Sequence, residues 1–341
     1  MEIFKAKSLF NSIDNNLIKE LVEIDDSLKE KIRKIQLKML EDLNQLCLEN
    51  DIKLMLGGGS FLGAIRHKGF IPWDDDIDLM MLRDDFEKLL KVLDNLTKEY
   101  EFQYINPQKN SYCTFAKLMY RNSRLIEVGS ENIPKLQGVY LDIFIIENIP
   151  DKKIVSFFYG LKCNYMQLVS SSIVMAKFPS EYNKKIFMQS FSGKINYFIR
   201  KTIGFLYRYQ NIEKYFIKVD KTFKKYKDKK TNYVTIQSGR KHYFGEKLPK
   251  KIFEEFIEYP FENIKVLGPK DYDVYLKNLY GSNYMQLPPI EKREKHHCIE
   301  ILIGIDNQER WYERNNTSRR KWDKTLSNNK GNIKTDNTNI W

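Results

Sequence analysis

The chain has 341 residues, 42% hydrophobic and 13% aromatic, enough to bury the core of one large domain or two small ones. No apolar run approaches the ~18 residues that span a bilayer, and the opening residues MEIFKAKSLFNSID lack the apolar stretch of a signal peptide, so a cytoplasmic protein is expected. The net charge of +12 is uneven: residues 183–230 hold fourteen Lys/Arg against three Asp/Glu, a stretch that can meet anionic lipid, nucleic acid or an anionic polymer, or form a solvated helical face.

In chain order, Ser27-Leu-Lys-Glu30 reads as a capping box, and Leu28, Ile32, Ile35, Met39, Leu43 and Leu46 form one face of a long helix. Ile52–Leu56 reads as a buried strand ending in the turn Gly57-Gly58-Gly59, with a short helix over Ser60–Arg66. Ile77–Leu82 is a second strand. Asp84 caps a helix that turns Phe86, Leu89, Leu90, Leu93 and Leu96 inward. Thr114–Tyr120 and Arg124–Val128 flank a hairpin-like connection, and Val139–Ile146 is a strand stopped by Pro150. Residues 152–230 read as helical and basic, with the aromatic residues Tyr197, Phe198, Phe205, Tyr207, Tyr209, Tyr215 and Phe216 packed between helices or set at a membrane surface. Phe261–Leu267 reads as a strand and Pro269–Tyr280 as a helix stopped by Gly281; residues 315–341 read as a disordered tail. The mixed order of elements predicts an α+β fold.

The run Gly57–Asp78 carries the chemistry. Glycines after a strand let backbone N–H groups approach a ligand, and a helix starting at Ser60 aims its N-terminal amides there, with the Ser60 hydroxyl as a further donor. Asp74, Asp75, Asp76 and Asp78 follow within five residues. Asp76 and Asp78 share one face of a strand, and side-by-side carboxylates repel unless a cation lies between them; hard oxygen ligands select Mg²⁺ or Mn²⁺. Asp142 interrupts an apolar strand, as does Lys117, so the two form an ion pair, belong to the site, or do both. Cys47, Cys113, Cys163 and Cys298 are scattered, which fits reduced thiols, and His296-His297-Cys298 lacks the further ligands of a zinc site.

GGGSFLGAIRHKGFIPWDDDIDL resembles the signature of the LicD family, within the nucleotidyltransferase (polymerase-beta-like) superfamily. GVYLDIF around Asp142 resembles that family's third-carboxylate strand, and the segments from Phe261 to His297 resemble its C-terminal part, so the likeness covers roughly residues 28–305. It implies a nucleotidyltransferase core with a small mixed sheet flanked by helices (residues 1–150) and a C-terminal part of the same domain (232–310); the helical basic insertion between them (151–231) and the tail (311–341) are read from composition and carry no motif of the family. Enzymes of this type transfer phosphocholine from CDP-choline to a sugar of a cell-surface glycan or teichoic-acid precursor; relatives, the fukutin group included, use other CDP-alcohols. The resemblance implies that Gly58, Gly59 and Ser60 hold nucleotide phosphates, that Arg66 and Lys117 neutralise their charge, and that Asp76, Asp78 and Asp142 are the catalytic and metal-binding carboxylates. Trp73, His296 and His297 are weaker candidates for substrate contact. The implied partners are a CDP-alcohol and a glycan or lipid-linked glycan acceptor; the basic, aromatic segment adds a peripheral contact with the anionic inner face of the plasma membrane, and nucleic acid is disfavoured. Two other readings remain: a nucleotidylyltransferase that uses an NTP and releases pyrophosphate, and a non-catalytic membrane-surface or nucleic-acid-binding protein.

Overall fold

The computed structural model describes residues 21–105, 112–135, 137–290, 293 and 297–304. Helix α1 (Asp26–Glu49) is capped by Asp25, whose carboxylate accepts from the Leu28 N–H at 2.7 Å; the cap lies two residues before the Ser27 expected from the sequence. Of the predicted inward face, Ile32, Met39, Leu43 and Leu46 are buried while Leu28 and Ile35 are partly so, and Leu40 and Gln36 are buried beside them. Strand β1 (Met55–Leu56) follows, then α2 (Gly58–His67), which starts two residues earlier than expected. Strand β2 (Asp78–Leu82) runs directly into α3 (Arg83–Val92), so Asp84 sits inside the first turn and Leu82 takes the cap position. Phe86 and Leu89 are buried, whereas Leu90 is exposed.

Four more strands complete the first half: β3 (Tyr100–Gln103), β4 (Ala116–Tyr120), β5 (Ser123–Glu127) and β6 (Tyr140–Ile149). The expected β4–β5 hairpin does not form. β4 pairs with β3 and β6, while β5 crosses to pair with β11 (Cys298–Ile303). The turn at Arg121-Asn122 had the composition of a hairpin, but β4 lies between the edge strand β3 and the apolar β6 and so leaves no side open to β5.

The main sheet has nine strands among the described residues, larger than the small sheet expected. Its central order is β3-β4-β6-β2-β1-β10-β9, with β9 (Phe256–Phe261) and β10 (Ile264–Pro269) forming a hairpin where a single strand Phe261–Leu267 was expected. Glu262 turns that hairpin with φ 54°, a left-handed residue that the sequence does not announce. Short strands β7 (Tyr233–Thr235) and β8 (Lys247–Pro249) extend the far end of β6. Residues beyond 232 therefore complete the first sheet. Helix α8 (His242–Gly245) lies between β7 and β8, and α9 (Tyr272–Tyr280) ends at Gly281 as predicted, though it begins after Pro269 rather than at it.

Between β6 and β7 lies a layer of helices: α4 (Lys153–Lys177), α5 (Glu181–Met188), α6 (Phe191–Leu206) and α7 (Ile212–Phe223). Side chains of Ser180, Ser190 and Asn211 cap the last three. This layer buries a second apolar cluster, with Tyr159, Cys163, Val169, Phe216 and Val219, joined to β6 through Ile149. Tyr215 and Phe216 pack inward, but Phe198, Phe205 and Tyr209 face out. A buried ion cluster rivets the layer to the sheet. Arg83 donates to Glu147 of β6 at 3.0 Å and to the Tyr104 hydroxyl at 2.9 Å, and its guanidinium lies 3.0 Å from Asp220 of α7. No described helix is long and apolar enough to cross a membrane.

Candidate active site

One row of side chains crosses the centre of the sheet. Asp78 on β2 is paired in register with Asp142 on β6, Asp142 with Lys117 on β4, and Lys117 with Gln103 on β3. The backbone binds the same points together, since the Asp142 N–H donates to the Ile77 carbonyl at 3.0 Å. Lys117 Nζ lies 2.7 Å from Asp142 Oδ1, and both residues are buried. The sequence left open an ion pair or a shared site, and the structure shows the pair. Burial raises the Asp142 carboxyl to about 6, with Glu127 and Asp76 pushing the same way and Lys117 opposing them. Burial works against the Lys117 charge, but Asp142 and Glu127 outweigh it and lift the ammonium above the usual lysine range. Glu127, which the sequence reading missed, also accepts the Tyr140 hydroxyl at 2.6 Å.

The Gly57 turn meets this row from the β1 side. Gly58 has φ 43°, a conformation glycine adopts without strain. A Cβ there would collide with the Asp78 carboxylate, and one at Gly59 would come within 2.8 Å of Asp74 Oδ2. Two carboxylates thus rest against the N-terminus of α2, where the helix dipole favours negative charge. The Gly59 N–H donates to Asp78 Oδ2 at 3.3 Å, and the Gly58 N–H donates to the Tyr275 hydroxyl at 2.9 Å. Ser60 is buried, and its hydroxyl accepts the Asp78 N–H at 2.9 Å. Its oxygen therefore fixes the start of β2.

The acidic loop is held by α1. Arg33 Nη2 donates to the carbonyls of Ile71 at 2.8 Å and Pro72 at 3.2 Å, and Nε reaches the Asp74 carbonyl at 3.2 Å. Gln36 bridges the carbonyls of Asp75 at 3.0 Å and Tyr140 at 3.3 Å, tying the loop to β6. The carboxylate oxygens of Asp74, Asp75 and Asp76 lie within 4.8 Å of one another. Asp76 also pushes the Asp142 carboxyl upward electrostatically.

The remaining candidates separate. Arg66 donates to the carbonyls of Tyr284 at 2.9 Å and Gln286 at 3.3 Å, binding α2 to the segment after α9. Trp73 carries the guanidinium of Arg293 at 4.1 Å and that of Arg66 at 5.9 Å from its ring centroid, so its face is already taken by cations. His297 lies at the start of the β5–β11 ribbon, its carbonyl accepting from the Val128 N–H at 3.0 Å. His296 lies outside the described residues. Two tyrosines of α9 were missed. Tyr275 contacts Gly58, and burial, then Tyr275, Asp78 and Asp74, hold the Tyr280 phenol protonated well above its usual range, with Arg240 opposing. Their signal was an aromatic pair on a helix opposite the Gly57 turn, visible only once β10 brings α9 beside β1.

Comparison with known proteins covers the same ground. The family model for LicD/FKTN/FKRP, nucleotidyltransferase domain, matches residues 51–157. The chain is 28% identical over 270 residues to the lipopolysaccharide cholinephosphotransferase LicD of Haemophilus influenzae, which covers 78% of this chain and 95% of that protein. It is 32% identical over 117 residues to an uncharacterised protein of Rickettsia typhi, covering 34% of this chain and 29% of that one. The matched segment contains the Gly57 turn, the acidic loop, Lys117 and Asp142, so residues 51–157 form a LicD-type domain, and the likeness to LicD indicates a transferase.

Proposed function

We propose that this protein transfers a phospho-alcohol, phosphocholine in the first instance, from a CDP-activated donor to a hydroxyl of a cell-surface glycan or its lipid-linked precursor, with Mg²⁺ or Mn²⁺ and release of CMP. The observation that carries the reading is the match along nearly the whole Haemophilus cholinephosphotransferase, whose name gives phosphocholine as the group moved and lipopolysaccharide as the acceptor. The unit β1–α2–β2–β6 is read as the nucleotidyltransferase core, and residues 153–230 as a helical addition to it.

Asp74, Asp75 and Asp76 each bring a carboxylate oxygen within 4.8 Å of the others, and Asp78 rests on the Gly59 N–H at the start of α2; such hard oxygen ligands fit a divalent cation. Asp76, Asp78 and Asp142 would hold it, with Asp74 in reach. Once bound, such an ion offsets the charge that develops on the donor's phosphate oxygens. The protein supplies the rest. The positive end of α2 would draw the phosphates, the Gly58 and Gly59 N–H groups exchanging the Tyr275 hydroxyl and Asp78 Oδ2 for phosphate oxygens. Lys117 adds fixed positive charge beside them. Asp142, paired with Lys117 and raised by burial, would serve either as a ligand of the cation or as the base that takes the proton of the attacking hydroxyl. Orientation and electrostatics then account for most of the rate.

A panel of CDP-alcohols with Mg²⁺, scored for CMP, tests the reading beside Asp76→Ala. CMP release from CDP-choline or a related donor, abolished in the variant, is the expected result. Pyrophosphate released from CTP would instead make the protein a nucleotidylyltransferase, and full activity in Asp76→Ala would remove the carboxylates from the mechanism.

A further inference from the structure

The helical layer carries an apolar face that no described element covers. On α4, Phe157 is 52% exposed, Phe158 65% and Leu161 46%; on α6, Phe198 is 59% exposed, Phe205 60% and Leu206 68%. Phe158, Leu161, Tyr165 and Ser172 fall on one stripe of α4. Ser172 is roofed by α6, since a Cβ on Gly204 would come within 2.6 Å of its carbonyl oxygen and of Ala176 Cβ. Helix α6 therefore lies on the continuation of the stripe that Phe158 and Leu161 leave open, and the two hydroxyls of Tyr165 and Tyr207, 2.9 Å apart, close the joint. The outer side of α6 and the open half of α4 consequently face the same way.

The charge of this face is one-sided. From Lys152 to Ile212 there are ten Lys/Arg and a single acidic residue, Glu181. Lys162, Lys194 and Lys201 are exposed among the apolar groups, and Arg208 stacks on Phe205 at 3.9 Å and on Tyr209 at 4.4 Å. Exposed rings and aliphatic side chains interleaved with lysine match the boundary between anionic headgroups and acyl chains. A second copy would set lysine against lysine, and residues 305–341, with eight Lys/Arg and five Asp/Glu, are of the same net sign. Nucleic acid would leave Leu161 and Leu206 without a role.

We infer that the α4–α6 face is a docking surface for an anionic lipid bilayer, into which Phe157, Phe158, Leu161, Phe198, Phe205 and Leu206 insert while the lysines meet the headgroups. The face leads toward the site: Phe157 packs on Phe244 of α8, and Lys241, next to α8, donates to the Asn278 carbonyl of α9, the helix that carries Tyr275. The inference holds whichever reaction the site performs.

Flotation of the full chain with phosphatidylcholine vesicles, and with vesicles rich in phosphatidylglycerol, tests it. The chain should float with the anionic vesicles, less so as salt rises. The triple change Phe157→Ser, Phe198→Ser, Phe205→Ser and, separately, Lys194→Glu with Lys201→Glu should each weaken binding about tenfold, with thermal melts unchanged because every altered side chain is exposed. Failure to float with anionic vesicles, or binding unaffected by the triple change, overturns the inference. So does a wild-type dimer in light scattering that the triple change makes monomeric, since a second copy would then own the face. A polarity-sensitive dye on Phe198→Cys that reports an apolar environment in lipid-free protein would show the chain covering its own face, and would overturn it as well.

Discussion

Asp78 is held by three of its own atoms. Its N–H is accepted by Ser60, its carbonyl accepts the Gly57 N–H at 2.9 Å, and Oδ2 accepts the Gly59 N–H. Asp78→Asn keeps all three contacts and removes only the charge, so it should abolish transfer while leaving the melting temperature within a few degrees; equal activity would take Asp78 out of the chemistry. Asp142→Asn is expected to behave differently. It strands the buried Lys117 ammonium, a loss worth about 3–5 kcal/mol where one partner of a buried pair is removed. Urea unfolding should show that loss, and Asp142→Asn combined with Lys117→Met should recover most of it without restoring activity. Gly58→Ala should damage both fold and function, because the left-handed backbone costs about 1–3 kcal/mol for a residue with a Cβ and that Cβ meets Asp78. At this scale the sequence made Lys117 and Asp142 legible, since charges inside apolar strands stand out, and the structure pairs them. It was silent about Tyr275, Tyr280 and Glu127, which reach the row from elements distant in sequence.

Helix α1 lies before the matched domain, yet it positions the acidic loop. Gln36 is buried in the apolar stripe between Ile32 and Met39, and Arg33 beside it clasps three carbonyls. A polar residue on an inward helical face was a readable signal that the hydrophobic periodicity alone passed over. Arg33→Met should leave the helix folded and loosen the loop. The expected result is a lower kcat at saturating donor and a higher divalent-ion requirement; unchanged kinetics would show that the loop holds itself. Elements with strong periodicity, α1 and β6 above all, were legible in the sequence. The β9–β10 hairpin was not, because Glu262 and Asn263 lack the Asn-Gly or Asp-Gly signature of a tight turn. The partner of β5 was unreadable for another reason: β11 lies more than 170 residues further along the chain.

Across the whole molecule, two apolar clusters share one strand, with Asp142 near the start of β6 and Ile149 at its end. The Arg83–Glu147–Asp220 cluster seals the seam between them, and its Arg and Glu side chains are 5% and 2% exposed. Scanning calorimetry of the full chain should therefore give a single cooperative transition. Arg83→Met leaves Glu147 buried without its partner and should split or broaden that transition, at a cost of about 3–5 kcal/mol; a sharp single transition at the wild-type temperature would show that the seam is held by apolar contact alone. The row from Gln103 through Lys117 and Asp142 to Asp78 has a consequence for how such a chain can change over generations. Side chains on a strand alternate faces with a period of two, so inserting or deleting one residue within β4, β6 or the start of β2 would send its charged group to the opposite side of the sheet. Descendants that keep the chemistry can lengthen or shorten the stretch between β3 and β4, or trade the helices between β6 and β7, but along these strands they are free only to substitute.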